Sequence, residues 1–256
     1  MQPSHLTLND KIALITGAAG DIGMAMAMRF AQAGARLALL DRDGERLAQR
    51  VAQAALPGER VLTLACDVTL PAAVELAVRA CVEHYGGLNV AVNNAAAVTP
   101  LAPVADLALD AWNEALAVNL TGAFLVARAC LGVMRAARSG VIINVASQLG
   151  HVTTAGRAPY SATKAALLSL TRSIALDHAA DGIRAVSLSP GAIGTSRLTG
   201  MLGDMEKVNA ALAPLYPLGR IGTADEIAQA AVFLASDAAS FITGSDLLVD
   251  GGYTAQ

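Results

Sequence analysis

The sequence predicts an α/β fold, a doubly wound parallel β-sheet with helices on both faces. Three observations carry that expectation. Short apolar runs recur between longer segments of helical periodicity, the runs are apolar at successive positions, and the first ends in a glycine-rich turn. Consecutive apolar residues suit strands buried on both faces of a sheet. Strand and helix in alternation build a parallel sheet from βαβ units.

The runs are "IALIT" (12–16), "RLALLD" (36–41), "VLTLAC" (61–66), "LNVAVNN" (88–94), "VIINVAS" (141–147), "IRAVSLS" (183–189) and "DLLVDG" (246–251). Between them apolar residues fall at helical spacing, as at Val74, Ala77, Val78 and Cys81, which line one helix face. No linker or repeat divides the chain, so one domain is expected over 1–256. The segment 192–216 interrupts the alternation with Gly194, Gly200, Gly203 and Pro214, and reads as a candidate lid over a site.

Apolar residues make up 54% of the chain and charged residues 15%, more apolar than an average soluble domain. Yet no uninterrupted apolar run approaches the roughly 20 residues of a spanning helix. The start, "MQPSHLTLND", lacks the basic and apolar stretches of a secretion signal. A cytoplasmic protein without a membrane segment is the expectation. A net charge of −3 with no basic block argues against a nucleic-acid partner. Cys66, Cys81 and Cys130 are an odd set expected to be reduced core residues. With His5, His84, His151 and His178 they make no ligand spacing, so no metal is expected.

The turn "TGAAGDIG" (16–23) follows the first run, where ligands settle at the carboxyl ends of parallel strands. Gly17 and Gly20 supply the tight turn and Gly23 allows close packing as a helix begins. Free amides and the dipole at that helix start favour phosphate. Asp41 ends the second run at the offset of a ribose-gripping acid. A carboxylate there accepts from ribose hydroxyls and repels a 2′-phosphate, which favours NAD over NADP, with Arg42 beside it softening the discrimination.

Here the chain resembles the classical short-chain dehydrogenase/reductase family over essentially its whole length, which implies a Rossmann-like fold. The family loop carries Gly where Asp21 stands. A carboxylate about 4 Å from phosphate costs on the order of 4 kcal/mol at an effective dielectric near 20. The expectation is that Gly20 adopts an unusual dihedral while Asp21 caps the helix, giving a tuned NAD site. The resemblance further implies that Ile22 joins the loop contacts and that Asp67 of "CDV", followed by Val68, meets the adenine. In "NNAA" it places Asn93 and Ala95 beside the adenosine ribose, with Ala96 where Gly is usual. "PGAIGT" brings Pro190, Gly191, Ile193 and Thr195 to the nicotinamide end. Ser187 stands where the family carries Asn and is given no role.

"YSATK" holds Tyr160 and Lys164 on one helix face. A tyrosine pKa near ~10 is high for a base, and a neighbouring ammonium lowers it. Ser147 and Asn119 complete the family's catalytic set. The implied roles are Tyr160 as acid/base, Ser147 on the reacting oxygen, Lys164 on the nicotinamide ribose, and Asn119 on a proton-path water. The substrate-facing candidates are Ser147, Gln148, His151, Arg157, Tyr160 and the 192–216 segment. For His151 and Arg157, loop or interface hydrogen bonds are an equal alternative.

Three functions are weighed. The first is an NAD-dependent dehydrogenase of a secondary alcohol (a polyol, sugar or hydroxy acid). The second is an NADPH-dependent 3-oxoacyl carrier-protein-type reductase, against which Asp41 speaks. The third is a non-catalytic NAD-binding scaffold. The resemblance also implies a homotetramer or homodimer joined through helices around 110–135 and 158–178.

Overall fold

The computed structural model describes residues 6–256; the expectations for the first five residues, His5 included, lie outside them. Seven parallel strands form one sheet: β1 (Ile12–Thr16), β2 (Arg36–Asp41), β3 (Val61–Ala65), β4 (Val90–Asn93), β5 (Gly140–Val145), β6 (Ile183–Pro190) and β7 (Asp246–Val249). Their order is β3-β2-β1-β4-β5-β6-β7, so the chain changes direction of winding between β1 and β4. This is the Rossmann-like α/β arrangement, and its crevice opens where β1 and β4 diverge. The apolar runs coincide with β1 and β2, and elsewhere differ from the observed strands by one or two residues at their ends. β3 is an edge strand and only partly covered, so its run is not buried on both faces.

Alternate strand residues feed two cores. Ala13, Ile15, Leu37, Leu39, Val92 and Ile143 point to one face. That face is covered by α1 (Asp21–Gln32), α2 (Gly44–Gln53) and α9 (Ala224–Ala235). Ile12, Leu14, Leu40, Ala91, Ile142 and Ala185 point to the other. There α3 (Pro71–Tyr85), α5 (Ala123–Ala137) and α6 (Ala158–His178) pack.

α4 (Leu109–Leu116) continues into α5 through a π-helical turn at Ala117–Gly122. The combined helix Leu109–Ala137 is long and apolar enough to cross a membrane by length and composition. Polar and charged residues interrupt it throughout, so it contains no apolar run of that length. Its Leu125, Val126, Cys130 and Met134 face is buried in the second core.

The 192–216 segment is not irregular. It folds into α7 (Ser196–Leu202) and α8 (Met205–Leu212), around a small core of Val208, Tyr216 and Ile221. Ile193 bridges to Gly222 at its base. Ser187, left without a role above, is buried in β6, and its amide donates to the Ser245 carbonyl. The three cysteines are free and buried. Burial pushes the Cys66 and Cys81 thiols up to about 11 and that of Cys130 higher still.

Candidate active site

The nucleotide end is built around the Thr16 hydroxyl, which accepts from the amides of Asn94 (3.0 Å) and Ala95 (3.1 Å) and thereby ties the ends of β1 and β4 together. Asn94 Nδ2 donates to the Thr16 and Gly17 carbonyls. Gly17 has φ +63°, and a Cβ there would lie 2.8 Å from Ala95 Cα, so only glycine fits. Gly20 holds an ordinary extended conformation, φ −75°. The unusual dihedral of this loop therefore belongs to Gly17, not Gly20.

Asp21 is not the cap of α1; that position is Gly20, and no side chain caps the helix. The Asp21 carboxylate instead accepts from the Ser196 amide (2.6 Å) and hydroxyl (2.7 Å) on α7. It also pairs with Arg50 Nη2 at 3.1 Å. Burial works against its charge, but Ser196 and Arg50 outweigh that and hold its pKa below the usual value. Turned this way, the carboxylate leaves the Asp21, Ile22 and Gly23 amides without partners among the described residues. Three unpaired N–H groups at a helix start suit a cofactor diphosphate.

Asp41 Oδ2 accepts from the Ala19 amide at 3.0 Å, which sets its carboxylate against the loop as a ribose acceptor would require. Arg42 is exposed beside it. Asp67 Oδ1 is engaged by the Thr69 amide and hydroxyl, and Val68 is buried against Gly122. Asn93 departs from the expected arrangement. Its Nδ2 donates to the Ala123 carbonyl and to Asn144 Oδ1, so its side chain faces the interior; a ribose contact would be left to its main chain. At the far end Pro190 closes β6 and Gly191 approaches Asp250, Gln148 and Tyr216 too closely for any Cβ. Ile193 is buried and Thr195 precedes α7.

The chemical end gathers on α6. Tyr160 is half-buried in its first turn, and Lys164 Nζ lies 5.6 Å from its ring centroid. Lys164 is buried and donates to the Val145 carbonyl at 2.6 Å. Ser147 follows β5 and accepts from the Leu149 amide. The turn it opens packs on α6 so tightly that a Cβ on Gly150 would sit 3.0 Å from the Lys164 carbonyl carbon. The π-helical turn places Asn119 inward, where Oδ1 accepts from the Ala97 amide and Nδ2 donates to the Thr163 hydroxyl. Thr163 in turn donates to the Tyr160 carbonyl. Asn119 thus reaches Tyr160 through Thr163, a link the sequence did not suggest.

Of the substrate-facing candidates, His151 turns away to Asp246 at 2.7 Å, the loop alternative foreseen for it. Gln148 is buried and hydrogen-bonds Tyr216 Oη. Arg157 directly precedes α6, one turn before Tyr160. Arg197 of α7, unnamed in the sequence reading, places its guanidinium 5.8 Å from the Tyr160 ring centroid and donates to the Ala97 carbonyl.

A family model described as enoyl-(acyl carrier protein) reductase matches residues 17–254. The chain is 40% identical over 248 residues to cis-4-hydroxycyclohexanecarboxylate dehydrogenase of Sinomonas cyclohexanicum, covering 96% of this chain and 97% of that one. It is 40% identical over 253 residues to D-threitol dehydrogenase of Mycolicibacterium smegmatis, covering 96% and 94%. The solved short-chain type dehydrogenase/reductase from Mycobacterium marinum superposes with a TM-score of 0.91 at 35% identity, covering 98% of each chain. The chain belongs to the short-chain dehydrogenase/reductase family. It is an oxidoreductase acting on CH–OH groups with a nicotinamide cofactor.

Two measurements follow from this geometry. Burial first, and the Arg197 charge second, bring the Lys164 ammonium down from 10.5 to about 7. Between pH 7 and the unfolded value the unfolded chain then holds a proton the folded chain lacks, so this group's contribution to stability rises with pH. The slope reaches about 1.4 kcal/mol per pH unit. Denaturation of Lys164→Met from pH 6 to 9 should lack that rise; an unchanged slope would refute the assignment. For Asp21, a charge-assisted hydrogen bond contributes about 1.5–3 kcal/mol, enough to bias an open–closed equilibrium roughly ten- to hundred-fold. Asp21→Gly should speed limited proteolysis within 196–215 several-fold, and wild-type cleavage rates would show that Ser196 is not held by it.

Proposed function

We propose that the protein is an NAD-dependent oxidoreductase that interconverts a secondary alcohol and its ketone, with Tyr160 as acid/base. The observation that carries this reading is the placement of Tyr160 beside the Lys164 ammonium, with the Ser147 turn packed on the same helix. In oxidation the Tyr160 phenolate takes the substrate hydroxyl proton; in reduction the phenol returns one. Ser147 donates to the reacting oxygen and stabilises its developing charge. Lys164 favours the phenolate electrostatically, and Asn119, through Thr163, fixes the turn that presents it. The nicotinamide ring, when bound, accepts or supplies the hydride.

NAD over NADP is supported by Asp41, whose carboxylate stands at the Ala19 amide and would repel a 2′-phosphate. A small alcohol as substrate is supported by the relatives, whose names record a hydroxycyclohexanecarboxylate and a tetritol as their substrates. We further propose that the chain works as one domain and as a homo-oligomer. Leu109, Phe124 and Leu176 are exposed on α4, α5 and α6, an apolar surface suited to a partner copy. Light scattering should give a multiple of 26.0 kDa; a monomer would overturn that. A reducing, cytoplasmic location is supported by the three free, buried cysteines.

The deciding experiment is NADH formation from NAD across polyols, sugars, hydroxy acids and simple secondary alcohols, run beside two variants. Tyr160→Phe should lose about 10²–10⁴ in turnover while binding NADH within a few-fold of wild type. Turnover at the wild-type rate would remove the proposed acid/base. Asp41→Ala should narrow the gap between NADH and NADPH affinities, and an unchanged gap would show that the ribose contact lies elsewhere. Activity confined to ketones with NADPH would favour a carrier-protein-type reductase.

A further inference from the structure

Tyr160 has three cationic side chains around it that pair with no carboxylate among the described residues. Arg157 stands one turn before it at the start of α6, and Arg197 approaches its ring at 5.8 Å from α7. Lys164 lies on a third side at 5.6 Å. None of the ion pairs among the described residues involves Arg157, Lys164 or Arg197. Two carboxylates, on β7 and in the glycine-rich loop, are committed to other partners. Asp246 is held by His151 and Ser189, and Asp21 by Ser196 and Arg50.

The two arginines are also underused as donors. Arg197 spends one N–H on the Ala97 carbonyl, and the Arg157 guanidinium has no hydrogen-bond partner among the described residues. Both are half-buried. Burial and the neighbouring Arg197 charge press the Arg157 guanidinium below its usual pKa, with Tyr160 acting the other way. Surface arginines of no consequence would spread apart into water. Here the Arg197 guanidinium lies over the Tyr160 ring and Arg157 precedes that tyrosine by one turn, both half out of water and each feeling the other's charge, an arrangement that an anion relieves. The planar fork of each matches a carboxylate.

We infer that Arg157 and Arg197 form a carboxylate subsite beside Tyr160, so that the substrate is a hydroxycarboxylate and the product the corresponding oxocarboxylate. The inference rests on the alcohol–ketone reading above and narrows it. Arg197 belongs to the helix that Asp21 holds through Ser196, so the acid in the glycine-rich loop becomes a positioning residue for this subsite. The departure from the family's glycine then has a use at the opposite end of the cleft.

The test separates binding of the carboxylate from turnover. Calorimetry on the full chain with NADH present compares the unreactive pair cyclohexanecarboxylate and cyclohexanecarboxamide, which differ only in charge and its hydrogen bonds. The carboxylate should bind at least tenfold more tightly. That ratio should fall toward one in Arg157→Met/Arg197→Met and recover in part in Arg197→Lys. Retained NADH binding in each variant certifies its fold. Equal affinities in the wild type overturn the subsite, as does a preference that survives the double substitution. Variants that lose NADH affinity while keeping the acid-to-amide ratio would assign the arginines to the cofactor diphosphate and overturn it too. Because the pair cannot be oxidised, these outcomes stand whether or not the alcohol panel succeeds. Silence in that panel with a clear carboxylate preference would count against the reaction alone.

Discussion

A buried ammonium that no carboxylate neutralises is the constraint on which the chemical end depends. Taking Lys164 out of water is costly, and among the described residues the Val145 carbonyl and the face of Tyr160 offset it. That is tolerable because the group need not stay charged: burial brings its pKa to about 7. A lysine poised at neutrality can be cation or amine at small cost, a property suited to the neighbour of a phenol proposed to gain and lose a proton. The surrounding architecture follows from holding it there. The Ser147 turn is clamped on the Lys164 backbone through Gly150, and the π-helical turn brings Asn119 inward to Thr163.

The nucleotide end solves its electrostatics by the opposite means. There the donors are main-chain amides, and the problem is a carboxylate in their midst. Asp21 resolves it by reaching out of the loop to α7 and Arg50. The loop amides stay free, and α7 gains an anchor at its first residue. A substitution that would cost binding through repulsion instead couples two parts of the cleft that the backbone alone does not connect.

Much of this was legible in the sequence because it is local. The strands appear as runs since both faces are covered, and the glycine-rich turn is recognisable because Gly17 must accept a left-handed φ against Ala95. The i, i+4 pair Tyr160 and Lys164 needs only helical geometry. What stayed hidden is long-range or depends on a neighbour's direction. Asp21 and Ser196 are 175 residues apart, and nothing in "TSR" marks its arginine as facing Tyr160. Asn93 was assigned to the ribose, yet in β4 the pleat turns its side chain toward Asn144 and α5. The helix over Leu109–Ala137 holds no long uninterrupted apolar run, because Asp110, Asn113, Glu114, Asn119, Thr121, Arg128 and Arg135 break it. Of these, Asn119 is the one the π-helical turn buries.

The two ends also differ in how freely sequence can vary, and this bears on where specificity resides. Contacts made by backbone amides and required glycines constrain identity at a few positions and leave side chains around them free. Thr16, Gly17 and Gly23 are of this kind. The groups proposed to face a substrate come from elements whose own folding makes no demand on them: Arg157 at the start of α6 and Arg197 on the short helix α7. Neither contributes to a core, and either could be exchanged without disturbing the sheet. A fold that fixes cofactor and acid/base through packing, and leaves the recognition of the rest of the substrate to such peripheral side chains, can hold the reaction constant while its substrates diverge. In this chain two such positions carry arginines, and under the proposed subsite they, more than anything in the sheet, would set what the site accepts.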